Sequence, residues 1–142
     1  MKMKVFLDTN ILLEVVMNRE KKKSCQQILQ AGLEGDISTC ASFLSFANIA
    51  YILQKQKFPR HDIYSIERDF ESIVDVLYMD GGQLRASLQR EVQDFEDMLQ
   101  YQCAASNGCD MIVTINTKHF LPFSSLPVFT PDVFMTQLKS KF

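Results

Sequence analysis

The 142-residue chain is 46% hydrophobic and 23% charged, which suits one globular domain spanning residues 1–142 with an adequate core. Its formal net charge of −2 excludes a broadly cationic binder of nucleic acid, so a nucleic-acid substrate would need a local basic rim and would be held in a salt-sensitive way. No apolar run approaches the roughly 18 residues of a membrane span, and the start lacks a secretory h-region and cleavage site, so a cytoplasmic protein is expected. Four scattered cysteines, Cys25, Cys40, Cys103 and Cys109, show no C-x-x-C pair and read as buried free thiols.

The first predicted element is a strand over Met3 to Leu7, apolar from Val5 to Leu7 and stopping on Asp8. Continuous apolar strands belong to parallel sheets covered on both faces, whose ligands bind beyond the carboxyl ends of the strands. Asp8 is therefore a site candidate, although a strand-ending Asp is equally suited to capping the next helix. Helices are predicted over Asn10–Met17 and Lys21–Leu33, closed by Gly32 and Gly35. The charged run Arg19 to Lys23 reads as a solvated face or as part of an RNA-contacting rim. A brief second strand lies between Asp36 and Cys40, and Ser42 caps a helix reaching about Gln56. That helix is apolar almost all round, so it is either central to the core or covered by a second copy.

Pro59 opens a helix over Arg60 to Ser72, and Val74 to Tyr78 makes a third strand. Gly81-Gly82 breaks the chain before a helix over Gln83 to Arg90, and another helix runs from Asp94 to Asn107 with Gly108 past its end. The fourth strand is Met111 to Thr114, the fifth Val128-Phe129, and Pro131 sits in the first turn of a terminal helix. Strands alternating with helices predict a three-layer α/β/α sandwich around a four- to five-stranded parallel sheet.

Asp94 and Asp97, three apart on their helix, share a face that Tyr101 extends, while Phe95, Met98 and Leu99 face the core. Acids in a first turn are also common for helix-dipole reasons alone, a reading that covers Asp94 and Glu96. If the first and fourth strands are neighbours, Asp8, Asn10, Asp97, Thr114 and Asn116 converge at one edge of the sheet. Carboxylates forced together need a shared proton or a divalent cation. Oxygen-only ligands point to Mg²⁺ or Mn²⁺, ions that lower the pKa of water and offset charge on a phosphodiester.

At these residues the chain resembles the PIN-domain family, through LDTNILLEVVMNRE from Leu7, DFEDMLQYQCAASNGCDMIVTINTKHF from Asp94, and the spacing between them. The resemblance implies a Mg²⁺- or Mn²⁺-dependent endoribonuclease, with Asp8 and Asp97 as metal ligands and Asn116 as a catalytic-site residue past the fourth strand. Asn10 and Thr114 would support it, and Lys118 and His119 would lie within reach of an RNA phosphate. It also implies the toxin half of a toxin–antitoxin pair, with RNA, an antitoxin and a second copy as candidate partners. The chain departs from the family pattern in two places. Asn48 stands where an acid is expected on the helix after the second strand, and no Asp or Glu occurs between Asp36 and Asp62. His119 stands where Asp is frequent. Glu14 could compensate for the lost charge or be a solvated surface acid. The alternative function is a weakly active or inactive PIN-like module that binds RNA or protein. Phosphoryl-transfer domains with an Asp after a strand are a further rival, but they want D-x-D or an acid pair after the first strand, and Asp8-Thr9-Asn10 supplies neither.

Overall fold

The computed structural model describes residues 2–141; Met1 and Phe142, the ends of the expected 1–142 span, lie outside it. In chain order the elements are β1 (Lys4–Leu7), α1 (Thr9–Val16), α2 (Lys22–Leu33), β2 (Ser38–Ser42), α3 (Phe43–Lys55), α4 (Arg60–Ile73), β3 (Asp75–Leu77), α5 (Gly81–Ser87), α6 (Phe95–Ser106), β4 (Met111–Val113), β5 (Val128–Phe129) and α7 (Pro131–Lys141). A 3₁₀ turn over Thr117–His119 separates β4 from β5. The five strands form one parallel sheet in the order β3-β2-β1-β4-β5, with Leu7 opposite Val113 and Phe6 opposite Cys40. The chain builds outward from β1 in one direction and then in the other, so strand order reverses between β1 and β4. The gap that opens at such a reversal, beyond the carboxyl ends of the strands, is the ligand position of open α/β sheets.

Side-chain alternation along β1 divides the core. Val5 and Leu7 pack on one face with Ile11 and Leu12 of α1, Ile28 of α2, Ile49 and Leu53 of α3, Phe70 of α4 and Phe134 of α7. Phe6 points to the other face and packs with Cys40, Cys103, Ala104, Ile112 and Phe120. With both faces covered, the central strand has no polar side from Val5 to Leu7, which is why β1 reads as an uninterrupted apolar run. All four cysteines are free and buried, as their scatter predicts.

Local chemistry sets the helix starts. The Ser42 hydroxyl accepts from the Ser45 N–H at 3.2 Å and begins α3 where expected. Gly108 takes a left-handed φ of 72° just past α6, a conformation that costs glycine nothing. Two expectations need correction. Gly81 and Gly82 do not precede the helix but form its first turn, because Asp80 caps it by accepting from the Gln83 N–H at 3.0 Å. And of the two readings of α3, a central place in the core does not hold: Ser45, Ile49 and Leu53 are buried, but Phe43 and Tyr51 are each 60% exposed, so one face of the helix is left uncovered by this chain.

Candidate metal centre at the strand reversal

Asp8 leaves β1 and caps α1, its Oδ1 accepting from the Thr9 N–H at 2.8 Å. The capping reading of this residue is realised through one oxygen, and the second faces the strand reversal. Oδ2 accepts from the Thr114 hydroxyl at 2.8 Å, and the Asp8 N–H donates to the Val113 carbonyl at 3.0 Å, stitching β1 to β4 across the reversal. Thr114 Oγ1 in turn accepts from Asn10 Nδ2 at 3.3 Å and from the Asn116 N–H at 3.1 Å. Asn10 Oδ1 accepts from the Ile115 N–H at 3.2 Å, so this amide clamps the turn after β4 with both ends. Asn116 itself leaves its side chain exposed at the mouth.

The second wall is α6. Asp94 is its N-cap, with Oδ1 accepting from the Asp97 N–H at 3.1 Å. Asp97 is 7% exposed, and His119 Nδ1 lies 2.9 Å from its Oδ2. Together Asp8, Thr9, Asn10, Asn48, Tyr51, Glu96, Asp97, Asn116 and His119 line a cleft of about 420 Å³. The convergence of Asp8, Asn10, Asp97, Asn116 and Thr114 is thus observed.

Electrostatics follow from crowding. Burial pushes the Asp8 carboxyl up to about 6, against the bonds from Thr114 and Thr9 and with the charges of Glu96 and Asp94 adding to the rise. Burial pushes Asp97 up to about 7; Asp8 and Asp94 raise it further and the contact with His119 opposes them. Glu96 is raised as well, by burial and then by Asp94. Among the described residues no Lys or Arg is paired with any of these four carboxyls, and His119 is the one basic side chain against them. Such a crowd of acids, with the Asp8 and Asp97 carboxyls raised chiefly by burial, is a ready receptor for a divalent cation, which displaces protons.

Several sequence expectations are placed differently. Glu14 is neither a solvated surface acid nor part of the cleft: it is buried, and its carboxylate accepts from the Lys21 N–H at 2.8 Å, tying α1 to the start of α2. The basic run nearby is partly structural, since Lys21 Nζ reaches Asp132 at 2.6 Å. Tyr101 faces away from the cleft, stacking edge-on with Phe123 and pairing its hydroxyl with Ser125 at 2.8 Å. Phe95, the first residue of α6, is exposed rather than core-facing, whereas Met98 is buried as expected. Lys118 lies just beyond the carboxylate cleft, in a second groove that shares His119 with it and is also lined by Asp94, Val92 and Phe123. The donor set is not oxygen-only, since His119 stands directly on Asp97.

Sequence reasoning missed three residues of the site. Glu96 lies in the cleft and accepts from Asn48 Nδ2 at 2.8 Å, so the amide on α3 holds an acid delivered by α6. Asp94 contributes its free Oδ2. Gln100, fully buried, accepts from the Ser42 hydroxyl at 2.6 Å and donates to Ser45 Oγ at 3.0 Å and Thr9 Oγ1 at 3.2 Å, locking α1, α3 and α6 together beneath the cleft. Its signal was a glutamine one turn after Asp97, on the same helical face.

Comparison with known proteins accords with this geometry. A family model described as PIN domain matches residues 4–118, and the chain belongs to that family. Three solved structures share the fold. VapBC2 from Rickettsia felis bound to a DNA fragment from their promoter is 21% identical with a TM-score of 0.69, over 90% of this chain and 98% of that one. A toxin–antitoxin complex from Klebsiella pneumoniae is 20% identical with a TM-score of 0.65, over 89% and 97%. VapBC-1 from nontypeable Haemophilus influenzae is 19% identical with a TM-score of 0.66, over 92% and 99%. No curated protein matches the sequence. No helix of the described residues is long and apolar enough to cross a membrane.

Proposed function

We propose that the chain is a divalent-metal-dependent endoribonuclease, a hydrolase of RNA phosphodiesters that acts in the cytoplasm as the toxin of a toxin–antitoxin pair. One observation carries this reading: Asp8, Glu96 and Asp97 crowd the strand reversal of a PIN domain, with Asp94 in the adjoining groove, and none of them has a paired Lys or Arg among the described residues. Asp8 and Asp97 are the metal-holding acids, and the donors around them suit a hard or borderline divalent ion such as Mg²⁺ or Mn²⁺. When bound, that ion supplies water activation and charge neutralisation on the phosphodiester. Thr114 fixes the second oxygen of Asp8, Asn10 fixes Thr114 and the following backbone, and the exposed Asn116 amide orients the scissile phosphate at the mouth. His119 holds or releases a proton beside Asp97. The similarity to VapBC structures supports an antitoxin as partner, and the exposed Phe43, Ala47 and Tyr51 flank of α3 supports a protein, antitoxin or second copy, docking beside the cleft.

The test is cleavage of labelled RNA with Mn²⁺, with and without chelator. Asp8→Asn and Asp97→Asn should each lower cleavage by more than about a hundredfold, beyond what loss of an outer-shell partner costs. Cleavage that survives both substitutions would refute the site. Asn48, neutral where an acid is expected, favours the second reading of a weak or inactive binding module; RNA retained by the wild-type chain without any cut in Mn²⁺ would establish it.

A further inference from the structure

The carboxyl groups at the start of α6 are arranged around a nitrogen. Asp94 spends Oδ1 on the Asp97 N–H and leaves Oδ2 at 3.9 Å from His119 Nδ1, while Asp97 Oδ2 stands 2.9 Å from the same ring atom. One ligand atom from each of Asp94, Asp97 and His119 lies within 4.8 Å of the other two. Donors about 2.0–2.2 Å from one ion sit roughly 3–4 Å apart, so these side chains need little movement to close on it. The imidazole is carried by a backbone anchored on both sides: the His119 N–H donates to the Asn116 carbonyl at 3.1 Å, and Phe120 next to it is fully buried. Its ring, by contrast, is half-exposed and can exchange its partner.

Charge and softness then select the occupant. Two carboxylates and a neutral imidazole sum to −2, matching a divalent cation, and the buried Asp8 carboxyl lines the same cleft as Asp97 and His119. Mg²⁺ prefers oxygen donors and keeps its waters, whereas imidazole nitrogen is a favoured ligand of Zn²⁺ and its neighbours in the first transition row. We propose that Asp94, Asp97 and His119 form a mixed nitrogen–oxygen site that takes Zn²⁺ or Co²⁺ in preference to Mg²⁺. This rests on reading the cleft as a metal centre, and it changes the ion expected there. His119 becomes a ligand that sets metal choice, and Asp94 a third arm beyond the pair of Asp8 and Asp97.

The experiment titrates the full chain, and its His119→Gln and His119→Asp variants, with Zn²⁺ and separately with Mg²⁺ by calorimetry. Comparing variants cancels the general advantage of zinc over magnesium. His119→Gln should lower Zn²⁺ affinity by at least about tenfold and leave Mg²⁺ within about twofold, while His119→Asp should raise Mg²⁺ affinity. In parallel, the ring nitrogens of the two histidines, assigned with His119→Gln, are followed by NMR; one equivalent of Zn²⁺ should shift His119 and leave His61 in place. Zinc bound without a shift at His119, or equal losses for both ions in His119→Gln, would overturn the proposal. Mg²⁺-supported RNA cleavage with either of those results would leave the nuclease reading standing. Zinc shifting His119 in a chain that cuts no RNA with any ion would leave the metal site standing alone.

Discussion

The two helices that wall the cleft, α3 and α6, are built on opposite plans. Each starts from a side-chain cap, Ser42 and Asp94, and each sends its first turns toward the strand reversal. From there α6 carries Asp94, Glu96 and Asp97, whereas α3 offers the hydroxyl of Ser45, the amide of Asn48 and the aromatic ring of Tyr51. All of the charge is loaded on one wall. The neutral wall positions it: Asn48 holds Glu96 from across the cleft, and Ser42 and Ser45 hold Gln100 beneath it. The neutral α3 therefore leaves no gap in the cleft, because Asn48 holds the Glu96 carboxylate delivered there by the facing helix.

That division of labour can be broken most severely at Gln100. Gln100→Ala removes partners of three buried hydroxyls and leaves a void, and should cost about 2–4 kcal/mol in chemical denaturation while loosening α3 from α6. A loss below about 1 kcal/mol would show that the walls are held by apolar packing alone. Asn48→Glu sharpens the contrast by putting charge on the neutral wall. It exchanges a hydrogen bond to Glu96 for a repulsion, so the metal-free protein should lose stability while Mn²⁺ affinity rises by about three- to tenfold. Unchanged calorimetric Mn²⁺ binding would place Asn48 outside the field of the site.

The pH dependence has a definite sign. Asp8 and Asp97 titrate in the folded chain at about 6 and about 7, above their ordinary value of 3.8, so folding favours their protonated forms. Their contribution is present at acid pH and is lost as pH rises from about 4 through 7, the unfolded chain giving up its protons first. In chelator, the denaturation midpoint should fall between pH 5 and pH 8, and a saturating divalent cation should restore it. A flat profile would mean the carboxyls are better solvated than their burial implies. The smallest effect lies outside the cleft: burial alone raises Glu67 on α4 to about 7 with one carboxyl oxygen unpartnered, so Glu67→Gln should slightly raise the midpoint at pH 8 and leave Mn²⁺ binding unchanged.

What the sequence determined by itself lies in short-range physics. The apolar run ending at Asp8, the Ser42 cap, Gly108 beyond α6 and Pro131 at the start of α7 each encode a local preference that the fold obeys, and the alternation of strands and helices implied the parallel sheet. Asp8 and Asp97 were readable because a carboxylate at a strand end or helix start stands out from its surroundings. Only the tertiary structure decided that Glu96 meets Asn48, that His119 turns onto Asp97, and that Glu14 binds the Lys21 backbone instead of the cleft. Those pairings join residues from 7 to 48 positions apart, and their geometry is set by where α1, α3 and α6 dock on the sheet. No local propensity carries that information, since docking is fixed by burial of the faces opposite the site.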